Sequence, residues 1–183
     1  RADRRGDAYA ANHMLFLFDA SAGIGRNLSL GGGATLVPGL DLGDNLFYAL
    51  PKIGVVQTER VNVAAGALVG GVAPENESPI SFGIAYAVAT FGPPTRSMSL
   101  GAGWGYVNGD WATRPALMLG GELRVADRLA FVTENYSVPG TDVPLLSLVA
   151  RIYGERMSGD VGVGFVGGSE AAAFPLLGLA IRF

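Results

Sequence analysis

The last nine residues, Pro175 Leu176 Leu177 Gly178 Leu179 Ala180 Ile181 Arg182 Phe183, alternate large apolar side chains with small or charged ones and stop on an aromatic. Successive side chains of a strand point to opposite faces. Leu177, Leu179, Ile181 and Phe183 therefore share one face, and Leu176, Gly178, Ala180 and Arg182 share the other. The first face is apolar throughout; the second is mostly small and ends in a charge.

The same period of two runs upstream. Residues 9–24 pass from an apolar run into alternation and read as one long strand, followed by a short turn at Gly25, Arg26 and Asn27 and a partner strand over 28–37. In the strand over 46–57, Pro51 sits beside Lys52; proline cannot donate to a ladder, so a bulge or bend is expected there. Further along, Ile80, Phe82, Ile84, Tyr86 and Val88 share a face against Ser81, Gly83, Ala85, Ala87 and Ala89, and Met98, Leu100, Trp104 and Tyr106 oppose Ser99, Gly101, Gly103 and Gly105. Alternation continues over 117–125, 129–134, 146–152 and 160–165. This gives about eleven strands of about ten residues, the length that crosses a bilayer when tilted.

Connections alternate short and long, the longer ones at 38–44, 73–79, around Asn108 Gly109 Asp110 Trp111, at Pro139 Gly140 Thr141 Asp142 and at 167–172. Bacterial single-chain barrels have an even number of strands with both termini on the short-turn side. Eleven is one short, so either a strand preceding Arg1 is absent or residues 9–24 contain an unread break.

Composition supports the same class. Charged residues are 16% of the chain and hydrophobic ones 49%, with 28 Gly, in 183 residues carrying a net charge of −3. Ordinary soluble domains carry roughly 25% charge, so there is little material for a wet surface. No run reaches the roughly 18 to 20 apolar residues of a membrane helix. Cys is absent, which excludes disulfides and thiolate metal sites. The 13 Lys and Arg are scattered apart from Arg1, Arg4 and Arg5, so no phosphate-tracking groove for nucleic acid is present. The expectation is an all-β, antiparallel, up-and-down transmembrane β-barrel over residues 9–183, of eleven strands or twelve when complete, behind a polar tail over 1–8.

A soluble barrel would also alternate, with a Lys- and Glu-rich exterior. Here the second face is Gly, Ala and Ser with occasional charges, which suits a lumen lining. That face collects Asp19, Glu122, Glu134 and Asp160 beside Lys52, Arg124, Arg151 and Arg182, four acids and four bases. A Lys or Arg facing lipid at the midplane costs about 2–4 kcal/mol, so these charges are expected to point inward, pair, and help fix register. Phe91, Trp104, Tyr106, Trp111, Phe165 and Phe183 fall near strand ends, where an interfacial aromatic girdle would lie.

The aromatic-terminated last strand resembles the closing strand of bacterial outer-membrane barrels. Phe47 Tyr48 Ala49 Leu50 Pro51 Lys52 Ile53 Gly54 and the run from Leu117 Met118 Leu119 Gly120 Gly121 Glu122 Leu123 Arg124 to Glu134 Asn135 resemble segments of uncharacterised outer-membrane-barrel-like proteins. The resemblance implies a bacterial outer-membrane location, contact with its lipid, and engagement of the barrel-assembly machinery through the C-terminal strand. It implies no activity and transfers no functional residue.

The only histidine, His13, would have to serve as base for an acyl hydrolase, with Ser21 or Ser147 as nucleophile, but no Gly-x-Ser-x-Gly elbow is present. Glu122 and Glu134 on neighbouring strands suggest a carboxylate pair, although nearby Arg124 and Arg151 favour ion pairing. The glycine runs at 31–33 and 101–105 lack the following helix and lysine of a phosphate loop. No cofactor or metal is expected. The reading is a non-enzymatic outer-membrane barrel, a passive small-solute channel or structural envelope protein; the alternatives are a lipid-modifying barrel enzyme using His13 and a soluble barrel holding an apolar ligand.

Overall fold

Each strand of the barrel wall pairs antiparallel with the next wall strand along the chain, and the last returns to pair with the first. The structure, a computed structural model, describes residues 7–13, 17–37, 42–75, 77–137, 144–168 and 171–183. Arg1, Arg4 and Arg5 of the tail and the loop expected at Pro139 to Asp142 lie outside the described residues. The strands are β1 (Ala8–His13), β2 (Leu17–Gly23), β3 (Leu28–Thr35), β4 (Phe47–Gln57), β5 (Val61–Val72), β6 (Ile80–Phe91), β7 (Arg96–Val107), β8 (Asp110–Trp111), β9 (Ala116–Ala126), β10 (Leu129–Ser137), β11 (Pro144–Tyr153), β12 (Met157–Val166) and β13 (Ala172–Arg182). Twelve of them close into a barrel, with β1 against β13 and the two-residue β8 outside.

The strand missing from the expected eleven comes from within residues 9–24. That stretch is two strands, β1 and β2, paired to each other with Ala8 opposite Ala22 and His13 opposite Leu17. With that break, both the first and last strands have their outer ends on the short-turn side, as an even-stranded barrel requires.

The bulge in β4 also differs from expectation. Register shifts between Gly54 and Val56, while Lys52 stays paired opposite Gly66. Pro51 is accommodated instead by a position facing outward, opposite Leu30 on β3. The loop after β7 turns on Asn108 and Gly109, both with positive φ (51° and 94°). An Asn-Gly pair tolerates that conformation and suits a tight hairpin. β8 is thereby folded back on β7, bringing the Trp111 ring to 5.2 Å from that of Tyr106.

The barrel has almost no core in the usual sense. Among the described residues the buried hydrophobics are Ala11, Ala64 and Ala130, while Phe18, Leu30, Phe47, Ile53, Leu100, Leu119, Phe131, Leu148, Val161, Leu177 and Leu179 are all exposed. Cross-strand partners put these large side chains on the outer face, for instance Leu148 opposite Val163 and Leu100 opposite Leu119.

β6 is the exception. Its register with β5 and β7 places Ala85, Ala87, Ala89 and Phe91 on the outer face with Val63, Leu100 and Trp104. Phe82, Ile84, Tyr86 and Val88, whose alternation matches the outward faces elsewhere, therefore point into the barrel. Neighbouring strands make room: Tyr86 lies between Gly66 and Gly103, and Val88 between Ala64 and Gly101.

Closure and register can be tested together, because the chain has no cysteine. Ala10 lies opposite Ile181 across the β1–β13 seam. Directly opposed Cα atoms are about 4.5–5.5 Å apart, within disulfide range. Ala10→Cys with Ile181→Cys is expected to cross-link on mild oxidation, seen as a mobility shift on a non-reducing gel. Ala10→Cys with Ala180→Cys, on opposite faces, should stay reduced; equal cross-linking of both pairs would refute this register.

Candidate functional site

The inner wall divides into two chemically different halves. On β4 to β6 it consists of Tyr48, Leu50, Leu68, Ile84, Tyr86 and Val88, with Lys52 as the cation among them. On β9 to β13 it carries Glu122, Arg124, Glu134, Arg151, Asp160 and Arg182. Asp19 of β2 faces inward as well, opposite Gly33; among the described strand residues, the charged side chains outside these eight are Arg96, the first residue of β7, and Asp110 of β8.

Arg151 and Asp160 sit directly opposite on β11 and β12. The guanidinium Nε donates to Oδ1 at 2.8 Å and Nη2 to Oδ2 at 2.7 Å, a bidentate pair that fixes both side chains. Two residues further along β11, the Tyr153 hydroxyl donates to Glu122 Oε1 on β9 at 2.7 Å, and the Arg124 guanidinium carbon lies 4.3 Å from the centre of the Tyr153 ring. Tyr153 thus holds a carboxylate by its edge and a guanidinium by its face, consistent with ordinary cation–π geometry. Glu134 accepts from the Tyr136 hydroxyl at 2.9 Å.

These contacts separate the two glutamates rather than joining them. Glu122 is opposite Val132 and Glu134 opposite Gly120, so they occupy different rungs and answer to different tyrosines. Asp19 lies far around the wall opposite Gly33, Lys52 opposite Ser29, and Arg182 opposite Tyr9 at the seam. The eight charges share the lumen face but divide into local groups.

Below these groups, at the short-turn end, a cavity of about 750 Å³ is lined by Asp7, Tyr9, Glu122, Arg151, Asp160 and Arg182, among others. It is the polar mouth of the lumen. Both signs of charge reach it, and the Arg151–Asp160 pair is already internally compensated.

The residues weighed for catalysis lie on different rungs of the sheet. His13 ends β1 opposite Gly178, and Ser21 lies opposite Tyr9 and Gly31. Ser147 is used structurally: its hydroxyl receives the Glu134 amide at 3.0 Å and donates to the Glu134 carbonyl at 2.9 Å, filling a gap in the β10–β11 ladder. Of the aromatic set, Trp104, Tyr106, Trp111 and Phe165 lie toward the long-loop end, and Phe91 and Phe183 toward the other. Trp111 comes from β8 outside the barrel wall.

The inner apolar ridge and the glycines flanking it escaped the sequence reading. Alternation reveals which residues share a face but leaves open which way that face points, and only cross-strand register supplies the direction. Glycine enrichment opposite β6 was the available signal.

Removing one member of the Arg151–Asp160 pair leaves a partly buried charge unmatched. Because the side chains keep 30% and 17% exposure, the cost is scaled down from a fully buried pair to about 1–3 kcal/mol. Arg151→Gln and Asp160→Asn should each lower urea stability of the vesicle-inserted barrel by that amount, and the double variant by less than the sum. Strict additivity would show that the pair contributes nothing specific.

No family model matches the chain, and no curated protein matches it. Among solved structures it is similar to one described as a KdgM porin in complex with disordered oligogalacturonate, with a TM-score of 0.71 and 11% identity over 97% of this chain and 98% of that one. The likeness extends over the whole barrel and establishes a porin-like fold.

Proposed function

We propose that this chain is a bacterial outer-membrane β-barrel whose lumen passes small solutes passively. The observation that carries the reading is the distribution of apolar surface. A water-soluble protein of 183 residues buries large side chains, since burial is the main favourable term in folding. Here the buried hydrophobics among the described residues are three alanines, while large aliphatic and aromatic side chains cover the outside. Such a surface is stable in lipid, and a closed sheet is the β-structure that satisfies every backbone group there.

The inward charges complete the argument. The short-turn end, bearing both described chain ends, faces the periplasm in this reading, and the longer loops face outward. Trp104, Trp111 and Phe165 toward one rim and Phe91 and Phe183 toward the other act as the interfacial girdle. Phe183 and the apolar face of β13 are the features that the barrel-assembly machinery would engage.

The porin of similar fold is described with an acidic oligosaccharide. In this chain the inward set is balanced, four acids against four bases, and much of it is internally engaged. A lumen of that kind is expected to select weakly by charge and mainly by size, with Arg151 and Asp160 holding register and lining the mouth.

Refolded protein reconstituted into planar bilayers should give discrete conductance steps with a cation-to-anion permeability ratio within about threefold of unity, as balanced lining charges imply. A bilayer containing demonstrably folded protein that stays silent would leave a structural envelope role in place of a channel. Recovery of folded barrel from the aqueous fraction without detergent would overturn the membrane reading itself.

A further inference from the structure

One rung of the inner wall contains three polar groups surrounded by apolar ones. Ser29 of β3 lies opposite Lys52 of β4, Lys52 opposite Gly66 of β5, and Gly66 opposite Tyr86 of β6. All face the lumen. Gly66 makes room at the middle of the rung, and the Tyr86 ring fills it: a methyl group at Gly66 would lie 2.7 Å from the Tyr86 hydroxyl oxygen. The phenol therefore extends over β5 toward the strand that bears Lys52.

None of the three groups is used by the fold. Ser29 is 1% exposed, and its hydroxyl has no hydrogen-bond partner. Among the described residues Lys52 makes no ion pair or side-chain hydrogen bond, and the Tyr86 hydroxyl makes none either. A buried hydroxyl without a partner is destabilising, and beside an unpaired cation it calls for an acceptor. Of the inward carboxylates, Asp160, Glu122 and Glu134 are held by Arg151, Tyr153 and Tyr136, and Asp19 stands two inward positions from the Lys52 rung, whose β2 member is Gly23.

The next inward positions toward the long loops are Leu50, Leu68 and Ile84. Water gains little from such a surface, and a pore for ions or sugars alone has no use for it. A solute with a charged head and an apolar body matches both parts.

We infer that Ser29, Lys52 and Tyr86 form a binding site inside the lumen for the carboxylate of a small amphipathic acid, whose apolar body lies against Leu50, Leu68 and Ile84. The inference rests on the channel reading for its biological sense, but the site can be measured without it. Lys52 supplies the charge, Ser29 and Tyr86 donate hydrogen bonds to the carboxylate oxygens, and Gly66 lets the Tyr86 ring reach across β5 toward Lys52. Gly66→Val would displace the Tyr86 ring from that position.

The test uses folded barrel in detergent micelles, titrated calorimetrically with sodium benzoate, sodium acetate and benzyl alcohol. Benzoate should bind saturably, and at least about tenfold more tightly than either acetate, which lacks the apolar body, or benzyl alcohol, which lacks the charge. Lys52→Gln should weaken benzoate about tenfold or more, Ser29→Ala and Tyr86→Phe by smaller factors, and Lys52→Arg should restore most of the affinity. Benzoate no better than benzyl alcohol on the unaltered barrel, or unchanged by Lys52→Gln, would overturn the site, and the first comparison needs no variant to fold. Conductance without selective benzoate binding would remove this inference alone; benzoate binding to a barrel that never conducts would remove the channel and leave the site.

Discussion

Closure of the sheet is the constraint on which everything else depends. With β1 hydrogen-bonded to β13, no backbone edge is left over and each strand side chain has two available directions, outward or into the lumen. Hydrophobic stabilisation cannot then be gathered in a central core, because the centre is a confined space shared by twelve inner faces. Most large side chains are displaced to the exterior, and the chain must find outside itself the apolar medium that other proteins build within. The low charge content and the three-alanine core are two expressions of that one fact.

The inverted strand β6 shows how the lumen responds when large residues do turn inward. Four bulky side chains on one strand would collide with ordinary neighbours across 4.7–4.9 Å strand spacings. Glycine and alanine on β5 and β7 remove the collision, so the ring of Tyr86 rests over Gly66 and the Ile84 side chain over Gly103. The ridge costs little backbone strain and narrows the lumen from one side. The charged half-wall faces it, and this asymmetry across the lumen distinguishes the molecule from a uniformly wet pore.

How much of this was legible follows from what a period of two can encode. It identified the barrel and its short-turn and long-loop ends, because hydrophobic alternation and turn residues are local. It missed the β1–β2 break, because Met14, Leu15 and Phe16 carry none of the Gly, Pro, Asn or Asp chemistry that marks a hairpin. It placed the bulge beside Pro51 on the ground that proline lacks a donor, whereas an outward position opposite Leu30 tolerates proline and the register slips at Gly54 to Val56 instead. The direction of β6 lay beyond local reading for the same reason: a face without charge on either side carries no signal of which side meets lipid, and the β5 and β7 registers decide it.

The charges illustrate the complementary case. A charged side chain states its preference strongly enough that the inward side could be read from sequence, but partners cannot be read from facing alone. Arg151 finds Asp160 because β11 and β12 bring them onto one rung, while Glu122 is captured by Tyr153 from two strands away and Lys52 pairs with no acid among the described residues. A formally balanced lumen is therefore unbalanced locally. On the β9 to β13 side the inward carboxylates are already held, by Arg151 or by tyrosine hydroxyls; on the β4 to β6 side a cation stands among aliphatic and aromatic groups with a buried hydroxyl beside it. The net count of charges predicts weak selectivity for simple ions, and their arrangement predicts discrimination among solutes that carry one charge and one apolar face.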